Sequence, residues 1–311
     1  MAEHLKGIIS SSLLRSMRVS RTILIIMIPV SLAVTILQYT GLLERIAWLL
    51  SPIMRIVSLP PEASFALVAG ALINIYAGIA VMGTLSLSAW DINIMAVMML
   101  ICHNLIVESA VQSKTGVSGL KMTGFRIAAA VAMGICLSLI LPEEFRQVKN
   151  IMGHGVASPA SGLAGVLVQW LTQTSILTIK VILIIAAINL AIDIMRHFKA
   201  FDPVISLLRP LTYMHGLPKR ASFMWMAGIL FGLAYGSGVL IAEAQTGRVD
   251  KDSLVRLNLS LGISHSLIED TLLFVAIGAS LFWVLIPRMA AAAAMVWLYA
   301  FFSRYFEKAS A

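Results

Sequence analysis

Leu59-Pro-Pro-Glu-Ala-Ser-Phe-Ala-Leu-Val-Ala-Gly70 returns later in the chain as Leu217-Pro-Lys-Arg-Ala-Ser-Phe-Met-Trp-Met-Ala-Gly228, with seven identities in twelve at a spacing of 158 residues. Outward from this pair the register holds. Pro52 falls on Pro210 and Ser31-Leu-Ala33 on Asn189-Leu-Ala191 at the same spacing. Downstream, a four-residue insertion raises the spacing to 162, and Ile101-Cys-His103-Asn-Leu-Ile-Val-Glu108-Ser109 meets Ile263-Ser-His265-Ser-Leu-Ile-Glu-Asp270-Thr271. Arg126 then meets Arg288. Leucine matches between apolar stretches arise by chance, but prolines, histidines, acids and arginines in register indicate a duplicated unit.

The duplicated unit belongs in a membrane. Of 311 residues, 59% are apolar and only 12% charged, about half the charge of a soluble domain, and mean hydropathy is +0.92. The net charge of +8 comes from basic residues between long apolar runs, which suits a lipid surface and not a nucleic acid. Cys102 and Cys136 both lie in apolar runs, so no disulfide framework is expected. Helices of about 20 residues cross the hydrocarbon, and the expected crossings are 21–40, 92–113, 122–141, 174–196, 252–279 and 281–303. The stretches 62–90 and 220–247 are Gly-rich with polar residues near their middles, and read as re-entrant hairpins. Segments 41–56 and 203–215, each with a proline, read as interfacial amphipathic helices. A further amphipathic helix is expected ahead of the first crossing.

Loop charge sets the orientation of the halves. With hairpins that dip in and return, each half crosses three times and the second half is inverted. Of 23 Lys and Arg, Arg126, Lys180 and Arg288 lie inside spans and Arg45, Arg55, Arg146 and Lys149 fall outside the cell. The other sixteen then face the cytoplasm, with both termini. The expected fold is an all-α polytopic membrane protein. It is an inverted repeat, 1–150 and 151–311, of three transmembrane helices, one re-entrant hairpin and one interfacial helix per half.

This order of elements, with its paired Leu-Pro…Ala-Ser-Phe hairpin starts and paired His-x-Leu-Ile-x-acid segments, resembles the Gate or nucleoside-recognition domain over about 20–141 and 178–303. That family includes the spore maturation proteins A and B, the membrane core of ferrous-iron transporter B and, more distantly, the core of concentrative nucleoside transporters. The resemblance implies a solute-moving protein with its site between the hairpin tips. No Gly-x4-Gly-Lys-Ser/Thr occurs, so the G domain attached to the iron transporter has no counterpart.

The residues lead to the same place. Inverted-repeat transporters bind solute near the midplane, where broken helices leave backbone groups free. Substrate-binding candidates are Asn74, Tyr76, His103, Asn104, Ser237, His265, Ser266 and Glu269. Glycines at spacing four in both hairpins read more readily as packing surfaces than as ligand cradles, and both readings can hold together. Glu108 with Arg126, and Asp270 with Arg288, are placed to form structural ion pairs or to couple a Na+ or H+ ion to transport; Glu269 lacks a counterpart, Val107 standing there. No resident cofactor or metal is expected, with His103 and His265 the pair that would bind a metal. Neither a nucleophile–base triad nor a zinc-hydrolase motif is present, so catalysis is not expected.

The leading expectation is a secondary transporter or facilitator for a small polar solute, nucleoside-like solutes included, in a bacterial cytoplasmic membrane. A divalent-metal permease and a non-transporting scaffold of the spore-maturation type stay open as alternatives. The expected partners are the lipid bilayer and the solute, and a homo-oligomer is compatible with the sequence.

Overall fold

The computed structural model describes residues 2–147, 162–197, 208 and 210–309, and its regular elements are helices. The expected boundary between halves at 150 and most of the second interfacial segment, 203–207 and 209, lie outside the described residues. Among the described residues, five stretches are long and apolar enough to cross a membrane: Ala89–Lys114, Gly119–Ile140, Gly162–Ala187, Lys251–Ala276 and Leu281–Ser303.

The sixth expected crossing differs. It lies in α1 (Ala2–Tyr39), which runs unbroken through the expected amphipathic helix and the span. Its apolar part, Leu24–Tyr39, is shorter than the other five, rising about 24 Å against roughly 30 Å of hydrocarbon. The fourth crossing also begins earlier than 174, inside α8 (Gly162–His197). Polar side chains near its start conceal it in the sequence but find partners in the fold. Trp170 Nε1 donates to Ser31 Oγ on α1 at 3.1 Å, and Thr172 Oγ1 to the Val168 carbonyl at 3.0 Å. Helices α1 and α8, equivalent in the repeat, pack along each other.

Two spans are broken. The first is α5 (Ala89–Cys102) followed by α6 (Leu105–Lys114), and the other is α11 (Lys251–Ser264) followed by α12 (Glu269–Ala276). Ser88 and Asp250, 162 residues apart, cap their starts by accepting the amide hydrogens of Asp91 and Ser253. The broken spans are the core: 72% and 67% of their apolar windows are buried, against 33%, 17% and 22% for the other three. Helices α7 (Gly119–Ile140) and α13 (Leu281–Ala309) flank them and turn apolar side chains such as Leu120, Leu139 and Phe301 outward.

Each half also carries a pair of short apolar helices. In the first, α3 (Ala63–Leu72) and α4 (Ile75–Met82) meet at Asn74, whose backbone is extended and whose Oδ1 accepts from Ala77 N at 2.9 Å. In the second, α9 (Ser222–Tyr235) is kinked at Gly232 and followed by α10 (Ser237–Gln245). Gly232 has φ 72°, and a Cβ there would lie 3.2 Å from Ser266 Cβ, so glycine is required on both counts. α2 (Leu42–Ile56) precedes the first pair and turns Trp48, Leu49 and Ile53 outward, as an interfacial helix does.

Candidate functional site at the two span breaks

Breaking a helix in an apolar interior orphans carbonyls on one side and amides on the other, and hydrocarbon supplies no replacement partners. The fold answers this the same way twice. Asn104 and Ser266 take left-handed backbone conformations, each with φ 48°. Asn104 N then donates to the Gly70 carbonyl at 2.9 Å, and Ser266 N to the Gly228 carbonyl at 3.1 Å. The missing side chains at Gly70 and Gly228 permit this approach: added Cβ atoms would fall 2.9 Å from Met99 Cγ and 2.6 Å from Leu261 Cδ1. The glycines therefore serve packing, and through packing they bring a hairpin carbonyl to each break.

The orphan carbonyls go to the arginines. Arg126 Nε donates to Ile101 O at 2.7 Å and Nη2 to His103 O at 2.8 Å. Arg288 repeats this on Ile263 O at 3.2 Å and His265 O at 3.0 Å. Both guanidinium groups are fully buried, and each cation sits where a helix C-terminus concentrates negative charge. The halves then part. Arg126 Nη2 also reaches Glu108 Oε2 at 2.7 Å, as the sequence register implies. Arg288 Nη1 donates instead to Thr271 Oγ1 at 3.3 Å, while Asp270 turns to His103. The second expected ion pair is thus replaced by a hydroxyl bond.

His103 and His265 face each other with ring centroids 5.0 Å apart. Each Nδ1 lies against the carbonyl four residues back, Met99 O at 3.0 Å and Leu261 O at 2.7 Å. A carbonyl only accepts, so Nδ1 carries the hydrogen in both rings. Nε2 of His103 is 3.4 Å from Glu108 Oε1 and 3.4 Å from Asp270 Oδ2, and Nε2 of His265 is 3.1 Å from Glu108 Oε2. That last approach lacks hydrogen-bond geometry, so among the described residues His265 Nε2 is buried without an aligned hydrogen-bond partner, and Arg126 Nη1 is in the same condition.

The other candidates lie around this centre or are used elsewhere. Tyr76 OH donates to Glu269 Oε1 at 3.5 Å, joining the first hairpin to the second broken span. Asn104 and Ser266 form the breaks themselves. Asn74 is a helix cap. Ser237, half-buried at the start of α10, makes no hydrogen bond to the histidine pair among the described residues. Cys102 is buried beside the site and Cys136 is exposed; neither is in a disulfide.

Sequence reading missed Thr271 and a set of bonds between the halves. Gln112 Nε2 donates to Asn258 O at 3.1 Å, Asn258 Nδ2 to Thr115 Oγ1 at 2.9 Å, and Ser280 N to Asn93 Oδ1 at 2.8 Å. Amides at Asn93 and Asn258 within apolar runs were the available signal, since a buried amide needs a partner.

The paired breaks and the repeated hairpins agree with what the chain resembles. The family model described as nucleoside recognition, Gate, matches residues 20–141. The chain is also 33% identical over 269 residues to the membrane protein YvoD of Bacillus subtilis (strain 168), covering 86% of each chain. The protein belongs to the Gate family. Gate proteins are transporters and other membrane proteins rather than enzymes, and this member is an integral membrane protein with a bacterial relative. YvoD is described only as an uncharacterized membrane protein. No solved structure matches the chain.

Proposed function

We propose that this Gate protein is a secondary transporter or facilitator that moves a small polar solute by alternating access, through a site where the two broken spans meet the hairpin tips. One observation carries the reading: His103, His265, Glu108, Asp270 and Arg126, all buried, converge at two helix breaks inside a membrane protein. Each ionisable side chain at the centre of a span costs roughly 2.5–3.5 kcal/mol on insertion scales. A passive scaffold gains nothing that offsets this.

The topology proposed with it is the inverted repeat, 1–150 and 151–311, with both termini on the cytoplasmic side of a bacterial inner membrane. The short helices support re-entrant hairpins, because α3 and α4 rise only about 15 and 12 Å. The proposed solute shell comprises Asn74, Tyr76, His103, Asn104, Ser237, His265, Ser266 and Glu269, with Na+ or H+ as coupling ion.

The test is solute-induced thermal stabilisation of the purified protein across nucleosides and amino compounds, followed by uptake into proteoliposomes. His265→Ala and Asn74→Ala should abolish stabilisation by the identified solute. Wild-type affinity in both variants would put the site elsewhere. Cysteines placed at 84–91 should resist labelling from the cytoplasm; ready labelling there would overturn the inverted arrangement.

A further inference from the structure

We infer that one divalent first-row transition-metal ion binds between the two halves, held by His103 Nε2 from the first and His265 Nε2 and Asp270 Oδ2 from the second, with the Glu108 carboxylate beside them. This rests on the same central site but not on its transporting anything.

The tautomers come first. Because both Nδ1 atoms donate to backbone carbonyls, each neutral ring presents a bare lone pair at Nε2. Those lone pairs face carboxylate oxygens at 3.1–3.4 Å. Acceptor facing acceptor in a buried site is unfavourable unless something positive stands between them. His265 Nε2, on a fully buried ring, has no aligned hydrogen-bond partner among the described residues, only the Glu108 carboxylate at 3.1 Å.

The spacing then selects the ion. The ligand atoms of His103, His265 and Asp270 all lie within 4.8 Å of one another, so the space among them takes one atom. Nitrogen and oxygen ligands about 2.0–2.1 Å from a tetrahedral centre are about 3.4 Å apart. The edge from His103 Nε2 to Asp270 Oδ2, 3.4 Å, is of that size, and the other two do not exceed 4.8 Å. Two imidazoles with one carboxylate suit zinc, cobalt or iron, whereas magnesium and calcium require oxygen shells.

The surroundings fit as well. Metal-bound histidines nearly always donate their other ring N–H to a carbonyl or carboxylate, which fixes tautomer and ring orientation. Both histidines here do so. Arg126 fixes Glu108 through Oε2 at 2.7 Å and leaves Oε1 turned to His103. With one ligand from the first half and two from the second, the ion joins the halves and favours the closed arrangement over any in which they separate.

Co2+ is the probe, added to the full-length protein purified in detergent by a tag without histidines. Visible d–d bands at one equivalent per chain are expected, displaced by Zn2+ and not by excess Mg2+ or Ca2+, together with a raised Tm. His103→Ala, His265→Ala and Asp270→Asn should each weaken Zn2+ binding by 10-fold or more, while His215→Val, remote from the site, keeps wild-type affinity. Asp270→Asn keeps the shape of its side chain and guards against a folding failure. Absent bands, equal affinity for Mg2+, or wild-type affinity in all three site variants would overturn the inference. Solute uptake without metal binding would overturn it while leaving the transporter reading intact. Metal binding without any uptake would do the reverse.

Discussion

The two halves treat their broken spans alike and their surroundings differently. At each break the backbone solution is the same: a left-handed residue, a hairpin carbonyl that accepts the freed amide, an arginine across the freed carbonyls, and a histidine bonded one turn back. One residue outward the correspondence lapses. Arg126 ends on a carboxylate and Arg288 on a hydroxyl. Further out, His215, Trp225 and Ser260 form a buried polar network, with Nδ1 and Nε1 each 2.9 Å from Ser260 Oγ. The first half places Val57, Leu67 and Met98 at the matching positions. Backbone groups in hydrocarbon have few partners to choose from, so their solution is held constant. Side chains beyond them are free to diverge.

The arginines offer the sharpest way to break this comparison. Arg126→Ala should destabilise the protein by about 3–5 kcal/mol, because it strands a buried carboxylate as well as two carbonyls. Arg288→Ala should cost less, about 2–3 kcal/mol for two carbonyl bonds and one hydroxyl bond. Equal losses in thermal unfolding would erase the distinction. A double-mutant cycle sharpens it. Glu108→Gln with Arg126→Gln should show a coupling of about 0.5–3 kcal/mol, whereas Asp270→Asn with Arg288→Gln should be additive within about 0.5 kcal/mol.

The glycines come next. An alanine at Gly228 meets both Cδ atoms of Leu261 at 2.6 Å, and one at Gly70 meets the more adaptable Met99 at 2.9 Å. Gly228→Ala should cost about 1–3 kcal/mol and Gly70→Ala less, measured as shifts in Tm.

The smallest effect is a pH slope confined to the second half. Burial pushes the His215 imidazole down from 6.5 to about 4. The folded state therefore holds it neutral while the unfolded chain takes up a proton below 6.5. Stability is complete above that pH and declines as pH falls toward 4, by about 1 kcal/mol at pH 5.5. His215→Val should flatten this part of the Tm profile, and an unchanged profile would remove His215 as its source.

Much of this was legible because polar residues inside apolar runs are informative. His103 and His265 in register marked the same depth in both halves, and Glu108 with Arg126 was readable from depth across one turn. The principal partners of the arginines were not, since a backbone carbonyl leaves no mark in the sequence. Asp270 shows the limit of repeat logic. Equivalent position predicted an equivalent pair, but Thr271 is nearer to Arg288 and the carboxylate turns to the opposite half. Asn74, read as a ligand-facing amide, also caps α4, and asparagine before a helical run is a cap signal as well. The continuity of α1 was hidden by its cationic first half, whose Arg15, Arg18 and Arg21 suggested a surface helix that stopped before the span.

The amide-to-carbonyl bonds across each break also act as latches. To swing free, the first hairpin must release a single such bond, Asn104 N to Gly70 O. The second must release two, Ser266 N to Gly228 O and Leu267 N to Ile229 O. Each loss is felt in a dry interior where no water replaces it. Under the alternating access proposed, opening the second hairpin therefore gives up one more amide-to-carbonyl bond than opening the first, while the first also gives up the Tyr76–Glu269 bond.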